Sequence, residues 1–301
     1  MKKKINRYIV SIIALFFRFT AWFEFKILRQ AKFQSLDQRQ EYVFSSVEWE
    51  GGREHYVCFP YDQAISKHVY VDGHFGWTHV PRVLKILGSD FKLKTLIDIG
   101  ANIGTISIPI VKRGLAERAI AFEPEPRNFR TLMANIYING LADKIVAYNL
   151  ALGSEEKDVI FELSTDNSGD HRVTVSEQDG MYSESRRKKI TVKSKSLDEM
   201  FPVSKNNECL IWMDTQGYEG KILEGAKEIC KARIPMVIEF WPYGLIRSDS
   251  YESLKCGMLC YKYYYDLAEV NPNKMEVTEN AIDILFDKFK HNDGWMDLLL
   301  L

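Results

Sequence analysis

The chain has 301 residues, 46% hydrophobic and 27% charged, with a formal net charge of −1. That length bounds one large domain with additions, and the near-neutral balance gives no expectation of a nucleic-acid partner. Five cysteines (Cys58, Cys209, Cys230, Cys256, Cys260) form no C-x-x-C pair. Neither a disulfide scaffold nor a zinc ribbon is therefore expected, and a reduced, cytoplasmic setting is.

The charge is uneven. Residues 1–40 carry nine basic and two acidic groups, a net of +7, which leaves −8 for the remainder. Residues 5–28 are rich in aromatic and aliphatic side chains, but Arg18 interrupts them. No clean apolar run of about 20 residues is left to span a bilayer. On a helix, Lys4, Arg7, Ser11, Arg18 and Arg29 share a stripe, with Lys26 beside it. The segment 1–40 thus reads as a basic amphipathic helix region, and residues 1–30 suit an anionic membrane surface on its inner, cytoplasmic face. Two competing readings are a signal peptide, which lacks a small-x-small cleavage site here, and a helix packed on the body of the protein.

Residues 41–90 read as a small extension. Glu41-Tyr-Val-Phe and His55-Tyr-Val-Cys-Phe alternate as strands do, and Val80 to Leu87 reads as a helix. Within it, Asp72-Gly-His-Phe-Gly76-Trp77 offers His74 and Trp77 as residues that line an acceptor pocket.

From residue 91 onward the pattern alternates strand and helix in the doubly wound manner. Expected strands are Leu93–Ile99, Ala119–Glu123, Ile145–Leu150, Leu210–Asp214 and Met236–Phe240. Expected helices are Thr105–Arg113, Pro126–Ile138 and Glu219–Ala232. Pro126 fits a first helical turn and Asn139-Gly140 a helix stop. Residues 154–200 break this rhythm with short strands, read as an inserted hairpin or meander, in which Ser183 to Lys189 is a polar, mobile loop. A helix over Ser250–Leu259, a strand over Tyr261–Leu267, a helix over Glu279–Phe289 and a terminal strand over Trp295–Leu301 close the chain.

The chemistry starts at Asp98-Ile-Gly-Ala-Asn-Ile-Gly104, which follows the first strand of this core. A glycine turn after a strand, then a helix, then an acid (Glu123) ending the next strand form half of a nucleotide-binding unit. The spacing is Asp-x-Gly-x-Asn-x-Gly rather than G-x-G-x-x-G. A carboxylate before the first glycine repels a pyrophosphate and attracts a methionyl amine and a sulfonium. This favours S-adenosyl-L-methionine over NAD and makes an NAD-dependent oxidoreductase a distant rival. A turn that only reverses the chain is the plainer reading.

The second anchor is Trp212-Met-Asp214-Thr-Gln-Gly217-Tyr-Glu219-Gly. With the first motif, Phe122-Glu-Pro124, Leu150-Ala-Leu-Gly153 and Ser196-Leu-Asp198, it resembles the FkbM family of S-adenosylmethionine-dependent methyltransferases over roughly Leu93 to Phe240. The resemblance implies a seven-stranded class I (Rossmann-like) α/β sheet and O-methylation of a hydroxyl on a sugar, glycan, lipid-linked or secondary-metabolite acceptor. It implies that Asp98, Gly100, Ala101, Asn102 and Gly104 cradle the methionyl part, that Glu123 holds the ribose, and that the loop with Asn149 and Ala151 borders the adenine. N- or C-methylation of a small molecule or protein, or a catalytically silent cofactor-binding module, are the alternatives.

An alcohol acceptor needs a base or a metal. Asp214 and Glu239 end neighbouring strands at the carboxyl edge, where ligands bind in such sheets. Either is a candidate base; if a metal such as Mg²⁺ were used, these two would hold it. His171, in the insert, is a third candidate base, and Arg172 a candidate grip on an acidic acceptor group.

Overall fold

The computed structural model describes residues 25–301, except 38, 50, 175, 177 and 204–207. Most of the expected amphipathic segment therefore lies outside the described residues. Its end is helical over 25–34, where Lys26 pairs with Asp72 and Arg29 donates to Ser45 Oγ at 2.9 Å. Among the described residues no helix is long and apolar enough to cross a membrane.

The chain opens with an antiparallel hairpin of β1 (Val43–Trp49) and β2 (Gly52–Cys58). It is tied to the helix Pro126–Ile138 by side-chain amides: Asn135 Oδ1 accepts from Val57 N–H at 2.7 Å and Asn139 Oδ1 from His55 N–H at 3.0 Å. Val47, Tyr56, Cys58 and Phe59 lie in the same apolar cluster as Leu96 of the central sheet.

The main sheet contains β3 (Thr95–Ile99), β4 (Arg118–Phe122), β5 (Ile145–Tyr148), β10 (Cys209–Met213), β11 (Met236–Phe240), β12 (Tyr263–Asp266), β13 (Met275–Glu276) and β14 (Met296–Leu300), in the spatial order β13-β12-β14-β11-β10-β3-β4-β5. β11, β10, β3, β4 and β5 run parallel, whereas β14 is antiparallel to both β11 and β12. Eight strands replace the expected seven because the two-residue β13 adds an outer edge beside β12. β3, β10 and β11 are buried at every position, since helices cover both faces of a parallel sheet. Successive side chains divide between the two layers: Leu96, Leu210 and Val237 enter one cluster, Ile97, Ile211 and Ile238 the other.

The insert is not a lone hairpin: its three strands complete a four-stranded sheet with the strand just before it. β6 (Ala151–Gly153), β7 (Lys157–Leu163), β8 (Arg172–Val173) and β9 (Lys188–Ser196) lie in the order β6-β9-β7-β8, with β6 parallel to β9. Ser183 to Lys189 contains a short turn and the start of β9. A turn over Glu184–Arg186 buries Glu184, which accepts from the Tyr243 hydroxyl and faces Arg247 at 3.4 Å.

The expected helix over Glu219–Ala232 is two helices, Glu219–Glu224 and Lys227–Ala232. Gly225 sits at the break, and a Cβ there would lie 2.1 Å from the Gly153 carbonyl. The close approach of β6 thus sets the kink.

Candidate active site

One cavity of about 470 Å³ opens at the carboxyl edge of the sheet, across the ends of β3, β4, β10 and β11, with the insert on one side and the last strand on the other. Its floor is the glycine loop. Asp98, Gly100, Ala101 and Asn102 line it. Gly100 has a φ of +84°, and a Cβ there would lie 1.9 Å from the Asp214 carbonyl oxygen; only glycine meets both conditions. Asn102 is also left-handed, at φ +50°. Its N–H donates to Glu123 Oε2 at 2.8 Å, and its side-chain amide donates to the Ser168 carbonyl at 2.7 Å. Gly104 does not line the cavity. It faces Ile108 and Leu132, where a Cβ would lie 2.6 Å and 2.9 Å from their methyls, so it lets the helix after the glycine loop pack against the helix Pro126–Ile138.

Glu123, 4% exposed, lines the cavity and accepts from two backbone N–H groups, those of Asn102 at 2.8 Å and Glu125 at 2.8 Å. Burial still pushes its carboxyl up to about 8, and that of Asp98 up to about 7. Each oxygen of a carboxylate has a further lone pair for an incoming hydroxyl. Asn149 lies outside the cavity. Its amide donates to the Glu123 and Pro124 carbonyls, both at 2.9 Å, and fixes the turn after β4. Leu150, Ala151 and Leu152 line the cavity in its place.

At the far side, Asp214 and Glu239 are joined by Gln216, whose Nε2 donates to Asp214 Oδ1 at 2.7 Å and to Glu239 Oε2 at 3.0 Å. Gln216 is left-handed at φ +58°. Its loop is braced by Glu219, fully buried, which accepts from the Thr215 N–H at 2.7 Å and hydroxyl at 2.8 Å. Gly217 abuts Gly244, where a Cβ would lie 2.3 Å from backbone. Burial pushes Asp214 up to about 6 despite the Gln216 bond, and burial with the neighbouring Asp214 raises Glu239 well above the usual range. Two such carboxylates share protons as a pair. The Gln216 amide nitrogen lies between them; among the described residues there is no group of three or more His, Cys, Asp or Glu side chains placed to hold a metal ion.

Three sequence expectations are corrected. His171 lines the cavity, but its Nδ1 accepts from the Ser164 N–H at 3.0 Å, so Nε2 carries the proton; burial lowers the imidazole to about 4. It is a hydrogen-bond donor rather than a base. Arg172 is 4% exposed and absent from the cavity wall. It bonds Glu162 at 3.2 Å and Asp170 at 3.0 Å and lies 5.0 Å from the Trp241 ring centre, holding the insert to the sheet edge. His74 and Trp77 do not line the cavity either. His74 packs on Trp49 at 4.6 Å, and Trp77 is buried under Arg113, 4.1 Å from its ring centre, which pairs with the buried Glu54. The neighbouring Thr78 and His79 face the cavity instead.

His79 was not picked out by the sequence, nor were Asp297, Asp293, Trp241 or Trp295. All five line the cavity. His79 Nε2 lies 3.2 Å from Asp297 Oδ2, and its Nδ1 lies 3.0 Å from the Leu267 carbonyl. Strand pairing brings this about: β14 returns beside β11 with Asp297 opposite Glu239. No local motif announces it, because the partners are far apart in sequence.

A five-stranded parallel core continued by three antiparallel strands, with a glycine loop and the acid after β4 facing one cavity, is the arrangement of a class I-like methyltransferase. Residues 98–246 match the family model of the methyltransferase FkbM domain, and this stretch of the chain is a domain of that family. A curated relative, the tRNA(Phe) (4-demethylwyosine(37)-C(7)) aminocarboxypropyltransferase of Pyrococcus horikoshii, is 36% identical over 69 residues, 23% of this chain and 23% of that protein. The chain thus spans under a quarter of that relative's length. Among solved structures, P. horikoshii TYW2 in complex with MeSAdo is similar with a TM-score of 0.40 at 17% identity, covering 85% of this chain and 69% of that one. M. jannaschii TYW2 in complex with AdoMet gives 0.35 at 12% identity, covering 88% and 86%. The curated relative is named for a reaction on tRNA. This overturns the expectation that nucleic acid is excluded as a partner and that the acceptor is a small molecule or glycan.

Proposed function

We propose that the chain transfers the methyl group of S-adenosylmethionine to a hydroxyl oxygen of its acceptor, with the Asp214–Glu239 pair receiving the hydroxyl proton. The observation that carries this reading is the carboxylate pair bridged by Gln216 at the cavity edge opposite the glycine loop. When bound, the cofactor supplies an already activated methyl group, so the protein's share is alignment and proton removal. Asp98 and the Gly100–Asn102 backbone would hold the methionyl part, Glu123 the ribose, and Leu150 to Leu152 the adenine. Asp214, brought near 6, accepts a proton at neutral pH far better than a free carboxylate would, and remains largely ionised there. Gln216 holds the pair while its charge changes. His171 Nε2–H adds a donor on the insert side.

The test supplies the full chain with S-adenosylmethionine carrying a ¹³C methyl group and offers acceptor pools, total tRNA among them because of the relative's name. The reading expects a labelled product whose methyl carbon resonates where O-methyl carbons do. A labelled N-methyl or C-methyl product would replace it with the corresponding alternative. Cofactor binding without transfer to any pool would support a silent binding module.

A further inference from the structure

The cavity wall beside Glu239 holds a third carboxyl. Asp297 on β14 stands directly opposite Glu239 on β11. Residues opposite one another on paired strands project to the same face, with Cβ atoms about 5 Å apart, and both of these line the cavity. A carboxylate at that range raises the proton affinity of its neighbours. After burial, Asp297 is the strongest like charge acting on Asp214, and it acts on Glu239 together with Asp214 and Glu219.

His79 answers that charge. It ends the turn Trp77–His79 and lines the same cavity. Its Nδ1 lies 3.0 Å from the Leu267 carbonyl oxygen, which only accepts, so Nδ1 carries a proton. Arg82, on the helix Val80–Leu87, donates to the same carbonyl and lies 3.5 Å from Nδ1, too far to take its lone pair. With that N–H fixed, Nε2 lies 3.2 Å from Asp297 Oδ2, and this contact is attractive only with a second proton between the two atoms. The Leu267 carbonyl thus makes His79 and Asp297 a unit that holds a proton and has no net charge. The other acids that act on Asp214 and Glu239 have partners of their own. Asp170 pairs with Arg172 and Arg187, and Glu219 accepts from Thr215. Asp98, across the cavity, accepts from the Ser107 N–H at 3.1 Å. Among the described residues no Lys or Arg lines the cavity, which leaves His79 to compensate Asp297.

We propose that His79 is a positioning residue for methyl transfer: clamped by the Leu267 carbonyl, it holds a proton against Asp297 and so keeps the Asp214–Glu239 pair ready to receive the hydroxyl proton of the acceptor. That proton goes to the pair, while the one between His79 and Asp297 stays in place. This role rests on the methyl-transfer reading and adds the group that tunes its base.

The carboxyls can be read directly, without an acceptor. The full chain, carrying ¹³C at its Asp and Glu carboxyls and saturated with S-adenosylhomocysteine, is titrated by NMR, with the Asp214 signal identified by its loss in Asp214→Asn. His79→Gln removes the ring proton but keeps a donor, and the Asp214 midpoint should rise by about half a pH unit or more. Asp297→Asn should lower it. The double variant should match Asp297→Asn alone, because His79 acts through Asp297. A midpoint that His79→Gln leaves in place, or moves equally with and without Asp297, would overturn the proposal and leave the methyl-transfer reading standing. A ¹⁵N-histidine spectrum of the wild-type chain gives a check that no variant's folding can confound. The His79 ring should carry its proton at Nδ1, and a ring protonated at Nε2 alone would overturn the proposal. Failure of the wild type to bind S-adenosylhomocysteine would overturn the methyl-transfer reading and this role with it.

Discussion

The carbonyl oxygen of Asp214 occupies the space that a side chain on Gly100 would need, 1.9 Å from an ideal Cβ. The glycine loop and the loop after β10 are therefore in direct backbone contact, and each fixes the other's position. Gly100→Ala is expected to cost about 2 kcal/mol or more in stability, from the left-handed backbone and the displaced Asp214 loop, and to abolish detectable cofactor binding. Denaturant unfolding and a cofactor titration of the same sample check both effects.

Glu123→Gln keeps the size of the side chain and one acceptor oxygen, but replaces the other oxygen with a donor facing a backbone N–H. Cofactor affinity should fall about 30-fold or more, the loss of roughly 2 kcal/mol expected for a hydrogen bond to a charged group. Melting temperature should fall by a few degrees, because one buried N–H loses its acceptor. An unchanged dissociation constant in a folded variant would contradict the ribose-holding role.

Gln216 donates to both Asp214 and Glu239 and favours their ionised forms. Gln216→Ala should move the acid limb of the pH–rate profile upward by about one unit, the equivalent of one charge-assisted hydrogen bond. The wild-type limb belongs near pH 6. A limb that stays in place would assign proton removal to another group.

Some of this was legible in the sequence because it is local. The glycine run, Glu123 and the acids ending β10 and β11 were visible as motifs at strand ends. The strand Met236–Phe240 and the helices Pro126–Ile138 and Glu279–Phe289 were visible because period, proline and cap residues agree there. What stayed hidden is non-local. His79 meets Asp297 only after β14 pairs with β11. The sequence alone presents Arg172 as a ligand grip, because its burial depends on Glu162, Asp170 and the Trp241 ring, which only the fold assembles. Trp77 is hidden for the same reason: its ring is covered by Arg113, at the end of a later helix, held by Glu54.

Burial raises the carboxyls of Asp98 to about 7, Glu123 to about 8 and Glu219 to about 7. Their unfolded values lie near 4, so between about pH 4 and pH 8 the native state binds more protons than the unfolded chain. Stability of the cofactor-free protein should therefore fall as pH rises, by about 2 kcal/mol or more from roughly pH 5.5 to roughly pH 8.5. Chemical denaturation across that range checks the sign. S-adenosylmethionine should flatten the slope, because it brings positive charge and hydroxyl donors to Asp98 and Glu123.

The most direct measurement is a calorimetric titration of S-adenosylmethionine into the full chain at two pH values, one below 7 and one above 8. One site per chain is expected, with affinity higher at the upper pH, where Glu123 and Asp98 are ionised, and with no competition from NAD. Absence of binding, or binding of NAD in its place, would contradict the account.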